Sequence, residues 1–259
     1  MKEMIQEKLI EIEQKHDVKI LFAVESGSRA WGFPSKDSDY DVRFVYIRQP
    51  DWYLSIDEKR DVIEVPINDL LDINGWDIRK ALKLFRKSNP PLLEWLVSEI
   101  IYYDTYGFKD EMLRLRHQVF SPKASVHHYL SMAKGNYRMY LQGDEVKIKK
   151  YFYVLRPILA CKWIEKYNTN PPISFQDLLT EMVTDPVLKS EINELLSRKI
   201  AGEELSLEKK VERVNEFIEQ EIEYLTDFAN SCTSELEDPT NLLDILYRKY
   251  LKIVWGNTG

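Results

Sequence analysis

Glu25-Ser26-Gly27-Ser28-Arg29-Ala30-Trp31-Gly32, followed after a short loop by Ser38-Asp39-Tyr40-Asp41-Val42-Arg43, is the stretch that decides the fold. Upstream, Lys19-Ile20-Leu21-Phe22-Ala23-Val24 is a short apolar run of the kind that forms a buried strand, and it delivers the chain to a tight turn. Gly27 lets backbone N–H groups approach an anion closely, and Ser26 and Ser28 add hydroxyls that can meet phosphate oxygens. Asp39 and Asp41 lead into a second apolar run that continues to Ile47. In an extended chain, residues two apart point the same way, so both carboxylates face one side of a sheet. Such a pair repels itself unless a cation sits between, and hard oxygen donors suit Mg²⁺ or Mn²⁺ carrying a nucleotide's phosphates. The plain alternative is a solvated acidic turn over Lys36–Asp41; the coupling to Gly27-Ser28 and the strand on each side argue against it.

Working outward, residues 60–67 read as a further strand, and residues 70–78 lead into a helix beginning near Arg79. A third carboxylate is expected from this region. Asp77, at the strand-to-helix junction, is the first candidate, with Asp72 and Glu64 as reserves; its competing role is to cap the helix that follows. Arg29 and, more weakly, Arg43 are candidates for neutralising phosphate charge through a forked guanidinium.

These residues resemble the nucleotidyltransferase fold of the DNA polymerase beta superfamily. More narrowly, Gly27–Gly32, Ser38–Arg43, Gly75-Trp76-Asp77-Ile78-Arg79-Lys80-Ala81-Leu82, Asn89-Pro90, Glu94-Trp95-Leu96 and Lys150-Tyr151-Phe152-Tyr153-Val154-Leu155-Arg156-Pro157 are similar to the YcgL-type, RNA-repair-pathway-associated polymerase-beta family. The matching blocks span about residues 20 to 165 and leave the last third uncovered. The resemblance implies a Gly-Ser turn (Gly27, Ser28) holding a triphosphate such as ATP, paired aspartates (Asp39, Asp41) binding divalent ions, and a later carboxylate (Asp77) completing the metal site.

The second part of the chain is helical in pattern, with apolar spacing near three and four over 126–141, 149–167, 174–182, 185–198, 205–228 and 241–254. The expected architecture is therefore α+β: a polymerase-beta-like mixed sheet with flanking helices over residues 1–107, then a helical bundle over 108–259. Residues 147–153 mix lysines with aromatics in a way that could grip a triphosphate, a base or an RNA end, so Lys150, Tyr151 and Arg156 join Gly27, Ser28 and Arg29 as nucleotide-binding candidates. The same run also reads as an ordinary amphipathic helix.

Other chemistry is disfavoured. His127 and His128 are adjacent and diverge by about 100° on a helix, so they form no chelating pair. Cys161 and Cys232 stand apart in sequence, which gives neither a disulfide framework nor a zinc spacing. No Ser/His/Asp pattern is legible. A net charge of −7 is unlike a protein that tracks long nucleic acids, and no apolar run reaches the roughly 18 residues of a membrane span. A soluble cytoplasmic enzyme is expected. It transfers a nucleoside monophosphate from a nucleoside triphosphate to a hydroxyl and releases pyrophosphate. The resemblance suggests an RNA 3′ end as acceptor, with a protein or small-molecule hydroxyl as alternatives. Two rivals remain: a catalytically silent nucleotide-binding regulator or toxin–antitoxin-type module, favoured if Asp77 lies too far from Asp39 and Asp41; and a nucleic-acid-binding or interaction protein built on the helical part, with a contiguous basic surface around Lys147 to Arg156 that continues beyond the nucleotide cleft.

Overall fold

The computed structural model describes residues 1–66, 70–203, 207–233 and 237–256. The chain packs as two compact units. One holds Met1–Ala30, Asp39–Val119 and the C-terminal helix; the other holds Trp31–Ser38 and the segment from Phe120 through the penultimate helix.

In the first unit, α1 (Lys2–His16) buries Ile5, Leu9 and Ile12 along one stripe. Asp17, in the left-handed region at φ 49°, ends it and hands the chain to β1 (Val18–Glu25). One helical turn, α2 (Gly27–Ala30), precedes β2 (Tyr40–Arg48), a second short turn α3 (Pro50–Tyr53), β3 (Val62–Glu64) and β4 (Leu71–Asp77). Then come α4 (Ile78–Arg86), α5 (Pro90–Val97), β5 (Ile101–Asp104) and α6 (Phe108–Val119). The five strands form one mixed sheet in the order β3-β4-β2-β1-β5. β2 and β4 run parallel, and the other neighbours antiparallel.

The sheet's alternation decides where the site can be. Val42, Phe44 and Tyr46 of β2 join Leu71 and Ile73 of β4 and the stripe of α1 in one buried cluster. Asp41 and Arg43, and beside them Asp72 and Asn74, occupy the opposite phase. Gly75 pairs with Phe44, and a Cβ there would overlap the Phe44 ring. Gly75→Ala is therefore expected to cost about 2 kcal/mol through overpacking, read as a lower denaturant midpoint at unchanged slope; an unchanged midpoint would mean that the ring yields freely.

The second unit contains α7 (Pro122–Tyr140), β6 (Glu145–Lys147), α8 (Ile148–Tyr167), α9 (Phe175–Met182), α10 (Pro186–Arg198), a π-helical turn at Lys199–Glu203, β7 (Leu207–Lys209) and α11 (Glu212–Ser231). Phe33, from the loop between Gly27-Ser28 and Asp39, inserts into this core: its ring lies 5.3 Å from Phe152 and 5.5 Å from Phe175. Trp31 C=O accepts the Phe175 N–H at 3.0 Å, and Lys199 Nζ donates to Phe33 C=O at 2.8 Å. The loop thus belongs to the helical unit, although both of its flanks belong to the sheet unit.

Two expectations of organisation need correction. The helix read as starting at Leu205 begins at Glu212; Leu205 itself lies outside the described residues, and Leu207–Lys209 instead pairs with Glu145–Lys147 as a small antiparallel ribbon. Val146 buried on that ribbon, and Arg198 donating to both oxygens of Glu208 at 2.6 and 2.7 Å, hold the strand where helical spacing alone predicts helix. The break at residue 107 also moves. α6 stays with the sheet, because Phe108 stacks on Phe22 of β1 with centroids 6.3 Å apart. The last helix, α12 (Thr240–Trp255), returns to the same unit: Tyr250 meets Phe108 edge-on at 4.7 Å, and Lys249 Nζ lies 2.8 Å from both carboxylate oxygens of Glu111.

Candidate active site

β1 ends in a carboxylate that is wholly buried. Glu25 is 0 % exposed; its Oε1 accepts the Asp41 N–H at 2.8 Å, its Oε2 accepts the Tyr102 hydroxyl, and its C=O accepts the Ser98 hydroxyl at 2.7 Å. On the other side of the same residue, the Ser26 N–H donates to Asp41 C=O at 2.8 Å. The Asp41 backbone is therefore held at both its N–H and its C=O by the segment that makes the Gly-Ser turn. Gly27 has φ 61°, and a Cβ there would run into Asp41 Oδ2. Only glycine lets the turn close against that carboxylate.

Across the parallel register Asp41 pairs with Asp72, and both side chains stand on the face away from α1. Arg43 Nη2 donates to Asp41 Oδ1 at 2.9 Å and to Asp72 Oδ2 at 2.6 Å; Nη1 donates to Asp72 C=O at 2.8 Å. Burial pushes the Asp41 carboxyl up; Arg43 opposes the shift, while the charges of Asp39 and Asp72 add to it. Asp39 is exposed, and its C=O accepts Arg29 Nε–H at 3.0 Å. The Arg29 guanidinium lies 3.7 Å from the centroid of the Tyr40 ring. Ser28 is half-buried on α2, one residue after Gly27.

Asp77 does not join this group. It is five residues beyond Asp72 on β4, about 16 Å along an extended strand, and in the opposite phase of the pleat. Its register partner is Tyr46. Fully buried, it caps α4 by accepting the Arg79 N–H at 2.8 Å and also accepts the Tyr53 hydroxyl at 2.8 Å. The capping role weighed for it above is the one it performs. Glu64 is exposed on β3 and paired with Arg60. Asp72 is the reserve that lies beside Asp41. The sequence reading missed Glu25 and Tyr102, and ranked Asp72 behind Asp77 although the order Leu71-Asp72-Ile73-Asn74-Gly75-Trp76-Asp77 carries the signal. With Leu71 and Ile73 pointing to the core, Asp77 must point there too.

The other three nucleotide-binding candidates lie in the helical unit. Tyr151 is 1 % exposed, with its hydroxyl donating to Asn215 Oδ1 at 2.9 Å and accepting the Val211 N–H at 2.8 Å, so it is a packing residue. Arg156 is buried, with its guanidinium 4.4 Å from the centroid of the Trp31 ring. Lys150 is half-buried, its Nζ 3.6 Å from the centroid of the Tyr140 ring. Of the basic residues in 147–156, Arg156 is buried, Lys147 is exposed, and Lys149 and Lys150 are half-buried. His127 and His128 point apart, one exposed and one half-buried, as adjacent helical residues must.

The donor set at Asp41 and Asp72 fits a hard divalent cation: two carboxylates facing across parallel strands, with a positive group already between them and a glycine turn closed against one. Among the described residues, no three carboxylate, thiolate or imidazole side chains gather closely enough to hold an ion as they stand. Asp39, Asp41 and Asp72 are the ones that would hold it.

A profile of the RNA repair pathway DNA polymerase beta family matches residues 1–249. It therefore takes in most of the last third of the chain, which the matching blocks leave uncovered. The chain is 55% identical over 259 residues, the full length of both, to YcgL of Bacillus subtilis (strain 168), a protein described as uncharacterized. A crystal structure of a nucleotidyltransferase-like protein from Exiguobacterium sibiricum aligns at 11% identity and a TM-score of 0.33, covering 86% of this chain and 74% of that one. The overlay is too loose to add to the assignment. What carries it is a match across nearly the whole sequence together with a mixed sheet that sets a glycine turn against paired aspartates: the chain belongs to the RNA repair pathway DNA polymerase beta family.

Proposed function

We propose that this chain is a divalent-metal-dependent nucleotidyltransferase that takes a nucleoside triphosphate such as ATP, passes the nucleoside monophosphate to a hydroxyl acceptor and releases pyrophosphate. The observation that carries the proposal is the Asp41–Asp72 pair across β2 and β4, set beside the Gly27 turn. Mg²⁺ or Mn²⁺ bound by Asp39, Asp41 and Asp72 would lower the pKa of the attacking hydroxyl and neutralise charge on the departing pyrophosphate. The chain's own residues supply position. Glu25 and Ser26 fix the Asp41 backbone, so its carboxylate needs little reorganisation. Gly27 and Ser28 offer the triphosphate a turn without side-chain obstruction on the Asp41 side, and Arg29, held on Tyr40, brings a fixed positive charge within one turn of it.

The family's description favours an RNA end as acceptor, and we place it ahead of a protein or small-molecule hydroxyl for that reason. The silent-regulator reading keeps one observation in its favour, the lack of a ready-made three-ligand cluster among the described residues. The distance of Asp77 no longer supports that reading, since Asp72 offers a carboxylate where Asp77 does not. Incubation with each α-labelled triphosphate, Mg²⁺ or Mn²⁺, and RNA, DNA, protein and small-molecule acceptors separates the two. Metal-dependent label on RNA 3′ ends with stoichiometric pyrophosphate is the expected outcome. Triphosphate binding with no label on any acceptor would favour the regulator.

A further inference from the structure

Four acceptors converge on one guanidinium. Arg43 Nη2 bonds Asp41 Oδ1 at 2.9 Å and Asp72 Oδ2 at 2.6 Å, while Nη1 bonds Asp72 C=O at 2.8 Å and Val42 C=O at 3.2 Å. The side chains are mostly shielded, with 18 % of Arg43, 22 % of Asp41 and 26 % of Asp72 exposed. Two shielded carboxylates on neighbouring strands repel one another, and a single planar cation with two forward-facing N–H groups relieves both at once. Nη2 thus occupies one oxygen of each of the two carboxylates that would hold a divalent ion.

We infer that Arg43 is a positioning residue that fills the cation's place in the metal-free protein, and that a divalent ion enters only in exchange for it. The inference rests on the proposal that Asp41 and Asp72 are metal ligands. It accounts for the lack of a formed three-ligand cluster among the described residues, because the gap between two of the ligands is held by a side chain. Arg43 keeps the two carboxylates facing one another while no ion is bound, at the expense of ion affinity. A lysine would keep the charge but not the second nitrogen, so it could not hold both carboxylates as Nη2 does and the Asp72 and Val42 carbonyls as Nη1 does.

The test is Mn²⁺ affinity, read from the free-ion electron paramagnetic resonance signal during titration of the nucleotide-free protein, so that no turnover is needed. Arg43→Gln is expected to tighten Mn²⁺ binding about tenfold, the factor that 1.4 kcal/mol represents. Arg43→Lys should tighten it by a smaller factor, about threefold, because the charge stays but one bridge is lost. Adding Asp41→Asn to either should abolish the gain. Unchanged or weaker binding in Arg43→Gln overturns the exchange while leaving the metal site standing, provided wild-type binding is lost in Asp72→Asn. Tightening in the glutamine variant with none in the lysine variant also overturns it, because the effect is then remote charge. If no form of the protein binds Mn²⁺, the metal-site proposal falls and takes the exchange with it. If Arg43→Gln does not fold by circular dichroism, the lysine variant decides alone, tightening supporting the exchange and its absence overturning it.

Discussion

Asp41→Asn and Asp72→Asn are each expected to lower metal-dependent nucleotidyl transfer by about a thousandfold, whereas Asp77→Asn should leave it within about threefold of the wild type. The magnitude follows from what a metal ligand contributes: several kcal/mol of stabilisation for charge that develops in the transition state, of which about 4 kcal/mol corresponds to that factor. The pairing of Asp41 with Asp72 across parallel strands makes the two losses comparable, because each removes one of two facing donors. Asp77 differs in both respects that matter. It lies in the opposite phase of β4, and its two oxygens are committed to the Arg79 N–H and the Tyr53 hydroxyl. The substitutions at 41 and 72 sit on half-buried positions, so folding should survive them, and removing either carboxylate also relieves repulsion of the other. Steady-state rates at saturating Mn²⁺, with circular dichroism to confirm the fold, check the set. A large loss in Asp77→Asn with full activity in Asp72→Asn would make the junction carboxylate the third ligand and remove Asp72 from the metal group.

Why the sequence pointed to Asp77 is instructive in physical terms. Local signals were legible. The Gly27-Ser28 turn, the strand before it, the strand that carries Asp41 and the stripe of α1 all depend on neighbours within a few residues, and each is present in the fold; Asp39 lies just before that strand. The carboxylate proposed to complete the group, Asp72, depends instead on register between β2 and β4, which sequence separation hides. Parallel pairing sets Asp41 against Asp72, so what matters is the position of a residue along β4 and the parity of its pleat, not its nearness to the next helix. The general expectation that ligands gather at strand-to-helix junctions placed weight on Asp77, while Leu71 and Ile73 in the same strand already assigned its phase to the core. Glu25 escaped notice because a carboxylate at the end of an apolar strand reads as a surface residue. The Tyr102 hydroxyl and the Asp41 N–H, both brought in by other strands, together with the charge of Arg29, make its burial tolerable. The β6–β7 ribbon was hidden for a similar reason, since its partners lie some sixty residues apart and each strand is only three residues long.

The same burial that keeps Asp77 apart from Asp41 and Asp72 makes it a determinant of stability. Desolvation raises its pKa to about 6, against the opposing hydrogen bonds from the Arg79 backbone and the Tyr53 hydroxyl. In the unfolded chain the group titrates near 3.8, so between those values the folded protein holds a proton that the unfolded chain has released. Stability from this group is therefore greatest below pH 4 and is lost as pH rises through 6; between pH 4.5 and 7.5 the loss amounts to about 2 kcal/mol. Asp77→Asn removes the titration but keeps an oxygen to cap α4, so it should flatten the dependence by that amount and leave the mutant the more stable form relative to wild type above pH 7 than below pH 5. Asp77→Ala is a different change. It leaves the Arg79 N–H without its cap, about 1 kcal/mol, and takes the acceptor from the half-buried Tyr53 O–H, about 1 kcal/mol more since the Tyr53 oxygen still accepts the Arg48 N–H, so it should cost about 2 kcal/mol when compared with Asp77→Asn at neutral pH. Urea midpoints of the three proteins at pH 4.5 and 7.5 check both statements. Since Glu25 and Asp41 are also raised by burial, it is the difference between wild type and Asp77→Asn that isolates this carboxylate. Parallel curves for those two proteins across that range would show that Asp77 is ionised in the folded state throughout. The buried end of β4 would then tolerate a full charge, and Tyr53 with the α4 N-terminus would have to supply more stabilisation than two hydrogen bonds to a carboxylate ordinarily give.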